Sequence, residues 1–322
     1  MGYSIYYHRD FDGIASAVLV MKWLKAAGAA EEFQLAPVDY DSPWVDLRLP
    51  YPSVVVDFMY HPDALHFWDH HRSPFTVPLW QQDYELRRAR GAAGFCWNPD
   101  YPSCAALILD DLPNLQGDPL ARELTHWATL IDSAAYDSPD TLFASREPAI
   151  ELNLALAEGN DDFFNALVRA LTEAGLESVS NDPQTRARIV AARNCQSAEL
   201  AILEQRLQVW ENVVVVADLS DTELKYSRYA PYYFAREALY SVVLHRTPDH
   251  FKVLCMRNPW IEFESYDLGS LCQRFGGGGH LRVGAALFRF ERLNEARDAL
   301  THISDTLTKD AKIKAPMANA TI

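Results

Sequence analysis

Carboxylates and imidazoles fall into four clusters along the chain, and their order is the first sign of chemistry. His8-Arg9-Asp10-Phe11-Asp12-Gly13 lies near the N-terminus, and Asp57 ends the run Val54-Val55-Val56. Phe67-Trp68-Asp69-His70-His71-Arg72 follows, and Asp132 ends Ala128-Thr129-Leu130-Ile131. Three of the four come directly after a short apolar run, where a parallel α/β sheet presents functional groups outside the carboxyl ends of its strands. Acidic and imidazole side chains converging there would repel or go unsatisfied without a cation between them. A divalent metal site is the simplest physical explanation.

Each cluster also has a purely structural reading. Asp12 before Gly13-Ile14 could cap a helix, worth about 1 kcal/mol, but this leaves His8 and Asp10 unexplained. An Asp ending a strand, as Asp57 does, often just starts a turn. Asp69-His70-His71 could belong to a solvated loop running into Arg72-Ser73-Pro74, with His61 and His66 as loop or helix-surface residues. Asp132, or Asp137 five residues on, could be a capping group. Their joint occurrence in this order favours the metal.

A second distinctive element is Gly276-Gly277-Gly278-Gly279-His280. Four glycines between a helix and a strand leave backbone N–H groups free to surround an anion. His280 and Arg282 can add charge-assisted hydrogen bonds to a phosphate. Arg257, after the strand Lys252–Met256, is the expected partner of a second phosphate oxygen. The competing reading is a flexible hairpin loop, which would not require the entropy cost of four glycines.

The elements that must position these groups alternate between strand and helix. A strand signal at Ser4–Tyr7 leads through the His8 loop into a helical pattern carrying Ile14, Val18, Met21 and Leu24, closed by Gly28. Strands follow at Gln34–Val38 and Val54–Val56, an apolar stretch at Leu65–Trp68, and helices at Cys104–Leu109 and Leu120–Ile131. Such alternation predicts an α/β fold with a mostly parallel sheet flanked by helices. Residues 185–210 read as one long connector helix. Beyond it, strands at Val213–Ala217, Tyr240–His245 and Phe251–Met256, a helix at Gly269–Phe275 and a strand at Gly284–Phe290 predict a smaller mixed α/β domain. The expected organisation is a catalytic domain at 1–184, the connector, a substrate-binding domain at 211–309 and a loose tail at 310–322.

The 322 residues carry 29 Lys plus Arg against 44 Asp plus Glu, a net charge of −15. Proteins that grip long nucleic acid derive most of that affinity from a basic surface, so long duplex DNA or RNA is not an expected partner. A phosphate substrate must be small, or met by a local basic pocket and metals. The five cysteines are widely spaced with no Cys-x-x-Cys pair, and are expected to be buried free thiols in a reducing cytoplasm. The N-terminus lacks a signal-peptide pattern, and no apolar run approaches the roughly 20 residues of a membrane span. A soluble cytoplasmic protein is expected.

Taken in order, Asp10-x-Asp12-Gly13, Asp57, Asp69-His70-His71, Asp132, Arg257 and Gly276–His280 resemble the DHH phosphoesterase superfamily with its DHH-associated C-terminal domain, and the match spans nearly the whole chain. The resemblance implies a two-domain hydrolase with a dinuclear centre, typically manganese, whose glycine-rich second domain holds the nucleotide or phosphate end of the substrate. It implies that Asp10 ligates one metal and Asp12 the other, that Asp57 bridges both, and that His70 and Asp132 complete the second metal's ligand set, with His8 reaching the metal. His71 would face the substrate phosphate and Asp69 would orient the adjacent imidazole. Arg257, Gly277, Gly278, Gly279, His280 and Arg282 would bind substrate. The chain departs from the family pattern in the short His8-to-Asp10 gap and in the Leu281–Ala286 sequence after His280, which leaves the substrate open.

The oxygen-rich ligand set itself suits manganese or magnesium. The expected activity is metal-dependent phosphodiester hydrolysis of short oligonucleotides or other small nucleotide phosphoesters. Pyrophosphatase or polyphosphatase chemistry, a RecJ-like single-strand exonuclease, or a non-catalytic nucleotide-binding protein are the alternatives. A homodimer is compatible with the sequence and not required by it.

Overall fold

The computed structural model of the chain describes residues 2–29, 31–91, 94–225 and 227–314. Its residues cluster into two units: 1–136 with 146–193, and 137–145 with 194–322.

In the first unit, strand β1 (Tyr3–His8) runs into helix α1 (Phe11–Ala26), followed by β2 (Phe33–Val38), β3 (Ser53–Val56), β4 (His66–Asp69), α2 (Pro78–Ala89), β5 (Phe95–Trp97), α3 (Cys104–Asp111) and α4 (Pro119–Asp132). The strands form one sheet in the order β2-β1-β3-β4-β5, and every neighbouring pair is parallel. All carboxyl ends therefore lie along one edge. The chain leaves β1 toward β2 on one side and returns as β3 on the other, so the β1/β3 boundary is the topological switch point of the sheet. Val54, Val55 and Val56 are fully buried, as a strand covered on both faces requires.

Helix α1 is buried from Phe11 to Met21, and its core is shared with Cys104, Ala105 and Ile108 of α3 and Leu124 and Ala128 of α4. Its polar side chains in that run are the exceptions to explain, and Asp12 is one of them. Gly13 has a steric role: a Cβ there would stand 2.2 Å from the His8 carbonyl oxygen. Only glycine lets α1 begin this close to the end of β1. After α5 (Pro139–Phe143), which belongs to the second unit, three helices complete the first: α6 (Pro148–Leu156), α7 (Asp161–Glu173) and α8 (Leu176–Ser180).

Helix α9 (Pro183–Arg206) is divided between the units, its residues through Arg193 clustering with the first. The expected connector ends earlier than position 210, because Gln208–Trp210 forms a strand, β6, paired with β7 (Val214–Glu223). The second unit continues with α10 (Ala230–Phe234), β8 (Tyr240–Arg246), β9 (Phe251–Arg257), α11 (Leu268–Gln273), β10 (Gly278–His280), β11 (Val283–Phe288) and α12 (Leu293–Lys314). Its sheet order is β10-β11-β9-β8-β7-β6; only β7 and β8 are parallel. One face carries Val242, Leu244, Val253 and Cys255 against Ala296, Ala299, Ile303 and Leu307 of α12. In another cluster, Val243 and Ala217 pack with Leu203 of α9 and Phe143 of α5.

Two expectations need correction. The loose tail does not begin at 310: small side chains such as Ala311 continue the helix, and α12 runs to Lys314. Residues 315–322 of that expected tail lie outside the described residues. The cysteines are not uniformly buried: Cys104, Cys255 and Cys272 are, Cys96 is half-buried and Cys195 is exposed on α9. No helix among the described residues is long and apolar enough to cross a membrane.

The contact at Gly13 can be checked directly. Gly13→Ala should lower the unfolding free energy by about 2 kcal/mol or more, since overpacking of this kind typically costs 1–3 kcal/mol. Urea denaturation measures it, and an unchanged midpoint would show that α1 can shift away from His8 freely.

Candidate metal centre

Four segments deliver acidic and imidazole groups to the carboxyl edge of the parallel sheet, straddling its switch point. His8 closes β1, Asp10 and Asp12 open α1, Asp57 follows β3, and Asp69, His70 and His71 close and follow β4. Asp132 arrives from the last residue of α4.

The carboxylates have different tasks. Asp10, not Asp12, is the N-cap of α1, its Oδ1 accepting from the Gly13 N–H at 2.8 Å. Asp12 lies inside the first turn, not in an extended loop, and its two oxygens accept from the Cys104 N–H at 2.6 Å and the Ala105 N–H at 2.9 Å. These are free donors at the start of α3, where the helix dipole also favours an anion. Asp57 is fully buried, with φ +56° in the left-handed region, an uncommon and strained conformation for a residue with a side chain. Its amide donates to the Trp68 carbonyl at 2.9 Å, which ties this backbone to β4.

The imidazoles are oriented from behind. His70 Nδ1 lies 3.1 Å from the Tyr101 carbonyl oxygen, so that nitrogen carries the proton and donates. Nε2 then faces Asp57 Oδ1 at 3.4 Å, Asp12 Oδ2 at 3.6 Å and Asp132 Oδ2 at 3.6 Å. His71 Nδ1 pairs with Asp69 Oδ1 at 2.7 Å, and the His71 carbonyl accepts from the Trp97 indole at 2.7 Å. His8 Nδ1 stands 2.7 Å from Asp10 Oδ2 and 3.8 Å from Asp57 Oδ2.

Both Asp57 oxygens and His70 Nε2 are buried without a hydrogen-bond partner. Buried polar atoms are rarely left so, and bound cations would satisfy them. Ligand atoms group within 4.8 Å of one another in three sets: His8, Asp10 and Asp57; Asp12, His70 and Asp132; and Asp57, His70 and His71. The donor chemistry, carboxylate oxygen with imidazole nitrogen, fits a divalent cation of the manganese or magnesium kind.

The electrostatics say the same. Burial, reinforced by the charges of Asp12, Asp10, Asp69 and Asp132, pushes Asp57 well above the usual carboxylate range. Burial and the neighbouring Asp10 push Asp12 up to about 7. Burial, followed by the Asp10 charge, raises Asp132 against the pull of His70. Burial raises Asp69 despite its His71 partner. Asp10 is lowered instead, because His8 and the Gly13 N–H outweigh the cost of its burial. Burial works against the charged forms of His8 and His71, but Asp10 and Asp69 respectively outweigh it and raise both.

In the second unit the glycine run is not an open nest. The Gly276 and Gly277 amides donate to the Gln273 and Cys272 carbonyls and close α11, while Gly278–His280 pair with β11 as strand β10. The glycines are needed for approach: a Cβ on Gly277 would lie 2.0 Å from the Ala285 carbonyl oxygen. Gly278, Gly279, His280 and Arg282 line a groove of about 630 Å³ together with Arg228, His245 and Lys252, and none of its lining groups among the described residues is a carboxylate. Arg257 and Gly277 are not among its lining residues. The Arg257 side chain is buried, donating to the Ile261 carbonyl at 3.0 Å and lying 4.6 Å from the Phe263 ring centre.

Several contributors escaped sequence reasoning. The α3 amides that hold Asp12 are 92 and 93 residues from it; Ser103 before Cys104 signals a helix start but not its partner. Tyr101 and Trp97 act through a carbonyl and an indole that no motif announces. Lys252 and His245 sit opposite each other on β9 and β8. Tyr40, two residues beyond β2, has its ring 5.4 Å from that of His8, and its place after a strand end was the missed signal. His61, expected at a surface, is buried against Trp44 and Trp80, and His66 lies in β4 beside Trp23.

No family model matches the chain, and no curated relative does. Among solved structures it is similar to a pGpG-specific phosphodiesterase, PggH, of Vibrio cholerae, with a TM-score of 0.72 at 19% identity over 95% of this chain and 99% of that one. Weaker likenesses include a manganese-bound exonuclease RecJ, with a TM-score of 0.49, 13% identity and 94% and 90% coverage. An exopolyphosphatase-related protein of Bacteroides fragilis has a TM-score of 0.45, 13% identity and 95% and 93% coverage. The chain shares its fold with the PggH structure over nearly the whole length of both.

The raised carboxylates give the metal-free protein a definite pH response. Relative to an unfolded value near ~3.9, a raised folded value means that the stability contribution is full below about pH 4. It is lost as the pH climbs toward about 7, where Asp12 ionises. A cation removes that penalty and must displace protons to bind, so binding tightens with pH. The rise in Tm on adding MnCl2 should therefore grow from pH 5 to pH 7.5. An increment that shrinks with pH, or no increment at all, would contradict the cup.

Proposed function

We propose that this chain is a metal-dependent phosphodiesterase that hydrolyses short linear oligonucleotides or related small nucleotide phosphoesters, using two divalent cations, manganese first and magnesium as the alternative. The observation that carries the proposal is the buried Asp57 carboxylate, partnerless on both oxygens and facing His70 Nε2, with Asp12 and Asp132 at the same nitrogen. His8, Asp10 and Asp57 would hold one cation, and Asp12, His70 and Asp132 the other, Asp57 serving both.

Cations held by these residues would supply an activated water and stabilise charge on the attacking and leaving oxygens. The chain's own groups do the rest. Tyr101 fixes the His70 tautomer, so its lone pair faces inward. Asp69 holds His71 through Nδ1 and favours its protonated form, leaving Nε2–H to donate to a phosphoryl oxygen as negative charge develops. The acidic wall repels stray anions, so a substrate must enter with cations and be retained by a separate basic element.

The groove of the second unit, taken by itself, is a basic element of that kind. Arg228, Lys252 and Arg282 with His245 and His280 line it, a local cationic surface on a chain of net charge −15. It suits a phosphate of a small substrate, and Arg282 and His280 offer the exposed donors. Because PggH is a pGpG-specific phosphodiesterase, a linear dinucleotide with a terminal phosphate is the first substrate to try. Pyrophosphate, a short RNA and single-stranded DNA complete the panel that separates the remaining phosphoester chemistries.

With Mn2+ and the linear dinucleotide, Asp57→Asn and His70→Ala should each lower kcat/KM by about a thousandfold, the equivalent of about 4 kcal/mol of transition-state stabilisation. Turnover that persists in EDTA, or in both variants, would refute metal-assisted hydrolysis. Separately, Arg282→Ala should raise KM about tenfold with kcat nearly unchanged, as expected for one lost charge-assisted hydrogen bond in binding. A fall in the MnCl2-induced Tm increment in that variant would contradict the division of tasks.

A further inference from the structure

Tyr40 has a position that the hydrolytic reading does not use. It stands two residues past β2, at the carboxyl edge of the sheet where the cation cup is built. The residue is 57% exposed. A singly exposed tyrosine normally needs no explanation, but this one is held in place.

The backbone around it is pinned by a short local network. The Tyr40 amide donates to Asp39 Oδ1 at 2.7 Å, the Asp39 amide to Ser42 Oγ at 3.2 Å, and the Ser42 amide to the Asp39 carbonyl at 2.9 Å. The ring meets His8 at 5.4 Å and 65°, edge-on, and Phe58 at 5.3 Å and 43°. Phe58 is fully buried and stacks 5.9 Å from His8, so it backs both rings. His8 in turn reaches Asp10 and Asp57. An aromatic disc is thus fixed one ring away from the cup, with more than half of its surface open. Among the described residues, ring contacts and backbone hydrogen bonds make that placement, not a hydrogen bond of the hydroxyl.

We propose that Tyr40 is a stacking platform for the nucleobase next to the phosphate held at the cup, so that the site prefers nucleotide phosphodiesters over base-free ones. The proposal rests on a phosphodiester binding at Asp57 and its neighbours. Every nucleobase has a π-face, so such a platform favours a base without choosing strongly among bases. The role is one of binding and orientation. Tyr40 takes no proton and displaces no group, and its ring carries the interaction.

The test uses the full-length protein, a linear dinucleotide and the same dinucleotide made abasic at one residue or the other. Binding is measured calorimetrically with Ca2+ in place of Mn2+, and kcat and KM are measured with Mn2+. For the dinucleotide, Tyr40→Ala should raise Kd and KM about tenfold, within the range of one lost base–aromatic stack. Tyr40→Phe should match the wild type, and one of the two abasic substrates should bind both variants and wild type alike. The MnCl2-induced Tm increment should be unchanged in both variants. A Tyr40→Phe loss equal to that of Tyr40→Ala would overturn the proposal by making the hydroxyl the contact. Equal losses on both abasic substrates, or no loss on any, would overturn it as well. If the wild type binds with the expected contrast but turns over nothing with Mn2+, the hydrolytic assignment fails while the platform stands.

Discussion

The first unit depends on one repulsion. Asp57 is a carboxylate with no exposed surface, no hydrogen-bond partner and a left-handed backbone, surrounded by Asp10, Asp12, Asp69 and Asp132. Burying an unpaired charge of this kind is among the more expensive arrangements a fold can adopt. The sheet enforces it because β3 is covered on both faces and its end is tied to β4 through the Asp57 amide. The strain and the charge crowding have one shared remedy, a multivalent cation.

The supporting residues follow from that constraint. Asp12 would be harder to hold if its oxygens did not receive two amides from the start of α3. Those amides also keep a carboxylate from turning away toward water. Tyr101 and Asp69 do for the imidazoles what α3 does for Asp12, each fixing one nitrogen so that the other has a defined direction. The cluster is rigid because its outer partners are backbone groups or buried side chains, which have little freedom to rearrange.

Much of this was legible in the sequence, for reasons that differ by residue. Asp57 and His70 could be found because a strand end followed by an acid or an imidazole is a local pattern, and a parallel sheet gathers all such ends. The strand–helix alternation was equally local. What could not be read depended on distant contacts. Asp12 was a plausible N-cap until α3 claimed it and Asp10 took the cap. The glycine run, locally a loop, became a helix terminus and an edge strand because β11 lies beside it. Strand β5 is three residues long and gains its identity only by pairing with β4. The last turn expected for the long helix became β6 for the same reason, its partner being β7.

The interleaving of the units has a practical meaning for anyone wishing to take the molecule apart. The chain passes between them at 136/137, 145/146 and 193/194, so neither unit is a contiguous stretch of polypeptide. Phe143, encoded within what looks like the first half, fills a cluster with Ala217, Leu219 and Val243 of the second. A gene fragment starting in α9 would lose that plug, and one ending there would carry a short greasy helix with nothing to cover it. The two halves are therefore separable on paper but not by simple scission, because residues 137–145 belong to the second unit while lying within the sequence of the first.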